Sequence, residues 1–232
     1  MKNLIYKIFS GKLWDVCWLI AGIALVALSA YLGFDGLNTV FFTSSIGGVV
    51  GMIVVQLFAN KHGKAGSAIG VAGACLDTFN YKSFGVLANV LIGIYCGILY
   101  IIGFFTLDKE ITVTKATGKN LIISIILSIA GVAIILKFGR GFFGEDVAYW
   151  IFLLSIPAFL FQIIGQYLMI EGKAFCWIFW ILANVANMTI QAYLYLSGTE
   201  TMALVYFAMT FMYTLNAIKA MVLWYGFGEK VE

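Results

Sequence analysis

Seven apolar runs, each of about 20 residues, fill most of this chain, and only short polar links separate them. A helix that crosses a bilayer needs about 20 apolar residues, so each run is long enough to span. The runs cover roughly 14–33, 38–60, 83–106, 120–138, 147–170, 174–196 and 201–225. An eighth segment, about 65–80, is shorter, rich in Gly and Ala, and ends in Asp77 and Asn80. Hydrophobic residues make up 62% of the 232, charged residues only 11%, and mean hydropathy is +1.00. A water-soluble domain usually carries about 25% charge, so that class is excluded. An aromatic content of 16% excludes a disordered chain as well. The expected fold is an all-α integral membrane protein.

Net charge is +3, too small to suggest a nucleic-acid partner, but the positions of the charges are informative. Lysine and arginine favour cytoplasmic loops. If 65–80 spans and the N-terminus is inside, Lys2, Lys7, Lys12, Lys61, Lys64, Lys109, Lys115, Lys119, Lys173 and Lys230 are all cytoplasmic. Only Lys82, Lys137 and Arg140 then lie outside, with Lys219 set aside in the last span. Without that span the bias falls to eight against five. An eight-span protein with both termini cytoplasmic is expected. Lys2, Lys7 and Lys12 precede a run longer than the 7–15 residues of a signal core, so the first run reads as a retained helix.

Cys17, Cys75, Cys96 and Cys176 each sit in apolar sequence without CxxC spacing, and His62 stands beside Lys61. They read as small buried hydrophobes, with no metal, disulfide or cofactor expected. Phosphate-loop, HExxH and paired-aspartate signatures are absent from the sequence, so no enzyme is expected. Glu171 beside Lys173 reads as solvated, which leaves Asp77 as a slender basis for ion coupling.

A shift of 109 residues lays Gly63-Lys64-Ala65 on Gly172-Lys173-Ala174, Ile69 on Ile178 and Ala74 on Ala183. A rival shift of 95 matches Leu87-Ala88-Asn89-Val90 with Leu182-Ala183-Asn184-Val185, but demands two spans where one fits. The preferred shift gives a 3+1+3 transmembrane helix architecture. Residues 1–37 form an extra N-terminal helix, 38–106 a first triple-helix bundle, 107–146 a linker helix region and 147–232 a second bundle. One linker span makes the two bundles parallel, with a solute path between them.

Polar side chains inside hydrocarbon usually face a bundle interior or a cavity. In the run 174–196, Trp177, Trp180, Asn184, Asn187 and Gln191 fall within an arc of about 80° at 100° per residue. Two indoles and three carboxamides on one stripe offer stacking surfaces and directed hydrogen bonds without charge. Gln162 and Gln166 share a face of the preceding run, and Gln56 and Asn60 repeat that spacing earlier. Thr210, Tyr213 and Asn216 in the last run join them, with Asn89 and Tyr95 in the third. Pro157, the single proline, is expected to kink its helix. Trp14, Trp18, Trp150 and Trp224 lie near span ends and read as interface anchors. Lys219 reads as snorkelling to the membrane face.

The stretch Gln162-Ile-Ile-Gly-Gln166, then Gly172-Lys173, then Trp177-x-x-Trp180-x-x-x-Asn184, resembles the PnuC family of bacterial vitamin B3 transporters, and Leu215-Asn216 extends the likeness. The first half is similar more loosely, through Ile46-Gly47-Gly48, Gly63-Lys64 and Asn89, and its third span lacks the aromatic-rich end of the family. The resemblance implies the fold of SWEET sugar transporters in a single chain and a homotrimer. It also implies uptake of nicotinamide riboside as a facilitated, uniport step, followed by cytoplasmic phosphorylation. The chemistry is compatible. Trp177 or Trp180 would stack on the cationic pyridinium, and Asn184, Asn187 and Gln191 would read the amide or ribose. Gln162, Gln166, Tyr213, Asn216, Gln56, Asn60 and Asn89 would complete the substrate-binding set. Thiamine, riboflavin or a deoxynucleoside are alternative cargoes, and a non-transporting membrane scaffold subunit is the alternative of another class.

Overall fold

Short breaks between apolar runs decide where each helix stops. The computed structural model describes residues 2–143 and 147–225; Lys230, assigned above to the cytoplasm, lies outside the described residues. Nine helices occur among them: α1 Lys2–Phe9, α2 Lys12–Leu32, α3 Thr39–Ala59, α4 Gly63–Ser83, α5 Leu87–Thr106, α6 Gly118–Phe143, α7 Tyr149–Ile170, α8 Cys176–Leu196 and α9 Ala203–Trp224. The Asn38 side chain caps α3 by accepting from the Phe41 N–H at 2.8 Å, satisfying a donor that the first turn leaves free. Left-handed residues end four helices: Lys61 after α3, Gly85 after α4, Gly172 after α7 and Gly198 after α8. The reversed φ turns the chain back while its amides reach the last carbonyls.

Six helices, α2, α3, α5, α6, α7 and α9, are long and apolar enough to cross a membrane. The other two long ones, α4 and α8, have 21 residues each, about 31 Å at 1.5 Å per residue. They match the hydrocarbon thickness but are less apolar. The segment expected as short, 65–80, is therefore a full-length helix. Its glycines let large neighbours approach: a Cβ on Gly66 would stand 2.8 Å from the Phe58 ring, and one on Gly70 2.8 Å from the Tyr100 ring. Small residues of this kind drive helix association in lipid. Composition alone misses such a span because close packing, not apolar bulk, holds it.

Helix packing forms a closed ring in the order α3, α4, α5, α7, α8, α9 and back to α3. The first triplet meets the second at two seams, α5 on α7 and α9 on α3. The link between α5 and α6 shows that the triplets run parallel. It donates from Ile111 N–H to the Lys61 carbonyl (2.7 Å) and from Thr114 N–H to the Gly172 carbonyl (2.8 Å). The ends of α3 and α7 therefore share one face. Lys61 and Gly172 occupy equivalent left-handed positions, a displacement of 111 residues, and Gly85 and Gly198 give 113. The expected shift of 109 is thus two short at the first turn. Small length differences between matching helices accumulate, so a single fixed shift cannot track the repeat.

Linker α6 packs at the α5–α7 seam, and α2 packs at the α9–α3 seam. The N-terminal helix expected as an addition is therefore the pseudo-symmetric counterpart of the linker helix. Each half reads as one peripheral helix followed by three ring helices. Trp18 fixes α2 by donating to the Met212 carbonyl at 3.2 Å. Trp18 and Trp224 are 5% and 4% exposed, so the interface-anchor reading fails for both. Their indoles instead bind backbone carbonyls inside the bundle, Trp224 reaching Ala59 at 3.1 Å. Trp150 does lie on the surface. Cys96 and Cys176 are buried as expected, whereas Cys17 and Cys75 are on outward helix surfaces. Lys219 does not snorkel. It is fully buried and pairs with Asp15, with Asn60 accepting from its ammonium at 2.7 Å.

Candidate functional site

A ring of six helices leaves space on its axis wherever inward side chains are small. Gly51, Gly70, Gly73, Ala74 and Gly93 supply that condition from α3, α4 and α5. The resulting cavity is about 110 Å³, several times the ~10–15 Å³ that one water needs. It takes walls from all six ring helices.

The α8 stripe faces this space. Trp177, Trp180, Asn184 and Asn187 line it, while Gln191, one turn farther along, seals it. The indole N–H groups of Trp177 and Trp180 are buried and have no partner. Buried donors are rarely left unpaired, so each can still take an acceptor. Trp177 rests edge-on against Trp224, with centroids 5.3 Å apart. Trp180 stands over Gly165 of α7, where a Cβ would lie 3.3 Å from its five-membered ring. Small size at Gly165 thus sets how far the indole can lean outward.

Asn89 also lines the cavity and donates to Asn187 Oδ1 at 3.0 Å, leaving its own Oδ1 unpaired. Gln162 lines it too, its amide nitrogen turned back to the Ala158 carbonyl at 3.3 Å. Tyr213 enters from α9, directly opposite Gly51. Seven of the twelve expected site residues therefore meet at one space: Trp177, Trp180, Asn184, Asn187, Gln162, Tyr213 and Asn89.

The remaining five lie off its walls. Gln191 donates to the Tyr81 hydroxyl at 2.9 Å. Asn216 donates to the Val55 carbonyl at 2.8 Å across the α3–α9 seam. Asn60 is held by Asp15 and Lys219. Gln166 is fully buried beside Tyr100, and Gln56 is half-buried on α3 outside the cavity. The Gln56–Asn60 pair is not the counterpart of Gln162–Gln166 either, because the matched turns place Asn60 opposite Glu171.

Five polar or aromatic wall residues were not in the expected substrate-binding set: Phe58, Asp77, Tyr81, Tyr100 and Thr210. A sequence signal for Asp77 and Tyr81 existed. Gly70, Gly73, Ala74, Asp77 and Tyr81 recur at helical spacing, a stripe of small residues ending in polar ones. Beyond the cavity, Asn80 closes the end away from Lys61. It donates to the Tyr206 hydroxyl at 2.6 Å and accepts from Thr43 at 2.6 Å. Toward the Lys61 end, Phe58 stacks on Tyr100 with centroids 5.7 Å apart. Among the described residues no group of three His, Cys, Asp or Glu side chains gathers as a metal site.

Comparisons with known proteins bear on the family and the fold. A family model described as nicotinamide mononucleotide transporter matches residues 41–226. A crystal structure of the vitamin B3 transporter PnuC shares the fold, with a TM-score of 0.70 at 18% identity, covering 92% of this chain and 91% of that one. No curated protein matches the chain.

Proposed function

Because this chain belongs to the nicotinamide mononucleotide transporter family and is a multi-pass membrane transporter, we propose that it takes up nicotinamide riboside by facilitated diffusion. The carrying observation is the central cavity, where two unpartnered indole donors stand beside the Asn89, Asn184 and Asn187 carboxamides. A pyridinium ring stacks on Trp180, and the carboxamides bind the nicotinamide amide and the ribose hydroxyls. The mononucleotide named by the family is a poorer cargo here. Among the described residues no Lys, Arg or His lines the cavity and Asp77 does, so a phosphate would lose its hydration without gaining a counter-charge.

Transport proceeds by rocking of the halves 38–106 and 147–232 about the site. The Asn89–Asn187, Tyr81–Gln191 and Asn80–Tyr206 hydrogen bonds cross between the halves at one end. They separate when that end opens. The opposite end carries Lys61, Lys64, Lys115 and Lys173 and faces the cytoplasm of a bacterial inner membrane, with both termini on that side. The family resemblance supports a homotrimer and a non-enzymatic role.

Purified protein in liposomes is expected to equilibrate labelled nicotinamide riboside with no imposed ion gradient; strict dependence on a proton or sodium gradient refutes the uniport reading. Gly51→Ala places a methyl group against the Tyr213 hydroxyl and pushes it into the cargo space. Overpacking costs about 1–3 kcal/mol, so calorimetry should show affinity lower by about tenfold.

A further inference from the structure

Nothing in the proposed contacts uses Asp77, although it is the acidic residue among those lining the cavity. It sits about two-thirds of the way along α4, between the glycine stripe and Tyr81. One carboxyl oxygen is shielded and has no hydrogen-bond partner. The Tyr206 hydroxyl approaches the carboxyl, but that hydroxyl also accepts from Asn80 at 2.6 Å. The deeply buried cation, Lys219, is committed to Asp15 and Asn60, and among the described residues no Lys, Arg or His is on the wall. A buried carboxylate with no cation beside it is costly. A cargo that brings one positive charge removes that cost, and a cargo that brings none does not. The Trp180 and Trp177 rings among the residues lining the same space favour a delocalised cation for the same electrostatic reason.

We propose that Asp77 is a specificity-determining residue that makes this carrier select flat heteroaromatic cargo with a single positive charge and no negative charge, over neutral compounds of the same shape. The inference rests on the nicotinamide riboside reading for its site, but it concerns charge rather than ring identity. It places thiamine nearer to the true cargo than riboflavin or a deoxynucleoside. It also separates this chain from a carrier that recognises nicotinamide through hydrogen bonds alone.

Calorimetry on the full-length protein tests it with two matched pairs. The first is nicotinamide riboside and its neutral dihydro form, and the second is thiamine and its neutral deaza analogue. Wild type is expected to bind the cation of at least one pair tenfold or more above its neutral partner, as a charge pair at low effective dielectric requires. Asp77→Asn, which keeps the shape, should reduce that ratio to within about threefold. Asp77→Glu, which keeps the charge, should preserve the preference even at lower affinity. If Asp77→Asn does not fold, the wild-type and Asp77→Glu ratios carry the test. Equal binding of cation and neutral partner by wild type, or a ratio that survives Asp77→Asn, overturns the proposal. A preference shown only in the thiamine pair overturns nicotinamide riboside as cargo and leaves the role of Asp77 standing. Riboflavin binding with no cation bound overturns both.

Discussion

Replacing Trp180 by alanine is expected to weaken nicotinamide riboside binding by about thirtyfold. The indole lines the cavity and its N–H has no partner. A desolvated cation–π contact is worth about 2 kcal/mol, which converts to roughly thirtyfold in affinity. Trp180→Phe keeps a ring face and loses the donor, so it should recover most of the affinity. Trp180 is also the better indole to test. Trp177 is 3% exposed and packs on Trp224, so its removal opens a cavity costing about 3–5 kcal/mol of stability. Titration calorimetry on Trp180→Ala protein that stays monodisperse decides the point. Wild-type affinity would move the cargo away from α8.

Asp15→Ala should lower the melting temperature by about 10 °C. Lys219 is completely buried, and its ammonium is neutralised by Asp15 on α2 and hydrogen-bonded to Asn60 at the end of α3. Removing the acid leaves a buried charge with one neutral acceptor, a loss of about 3–5 kcal/mol. In a chain of this size each kcal/mol shifts melting by about 2–4 °C. The reverse change is milder: Lys219→Met strands Asp15, whose side chain is 24% exposed and keeps water contact. The Asp15→Asn, Lys219→Met double variant should lie within about 1 kcal/mol of wild type, since an apolar replacement of a buried pair is often neutral. Thermal unfolding in detergent distinguishes these cases. Equal losses in both single variants would mean that the pair contributes by packing rather than by charge. The cluster ties α2 to the α3–α9 seam, where Asn216 and Trp224 also cross to α3 backbone carbonyls. That density of seam contacts gives α2 a structural part.

Reading the α8 stripe needed no neighbouring helix. Trp177, Trp180, Asn184 and Asn187 share one arc by periodicity, and an apolar helix with one polar arc has only an interior direction in which to point it. Asn60, Asn216 and Gln191 met the same criterion and took different posts. Asn216 and Gln191 are buried and Asn60 is half-buried, each in a seam or a closure rather than on the cavity wall. A polar side chain excluded from lipid has two destinations, a cavity or a partner on another helix, and both leave the same mark in sequence. Asp77 shows the converse. Its helix reads as short and small by composition, and only the charge bias makes it a span, because α4 is held by glycines under the Phe58 and Tyr100 rings rather than by apolar bulk.

Hydropathy and helical period are local quantities, and they suffice to read this chain as helical and membrane-embedded with an inward polar stripe on α8; the reading of two like-directed triplets needed the internal repeat as well. The order of the ring, the pairing of α2 with α6 as peripheral helices and the place of Asp77 on the wall depended on how each helix is rotated against its neighbours. That rotation is fixed by contacts between residues far apart in the chain, such as Trp18 with Met212 or Asn89 with Asn187, and no window of neighbouring residues contains it.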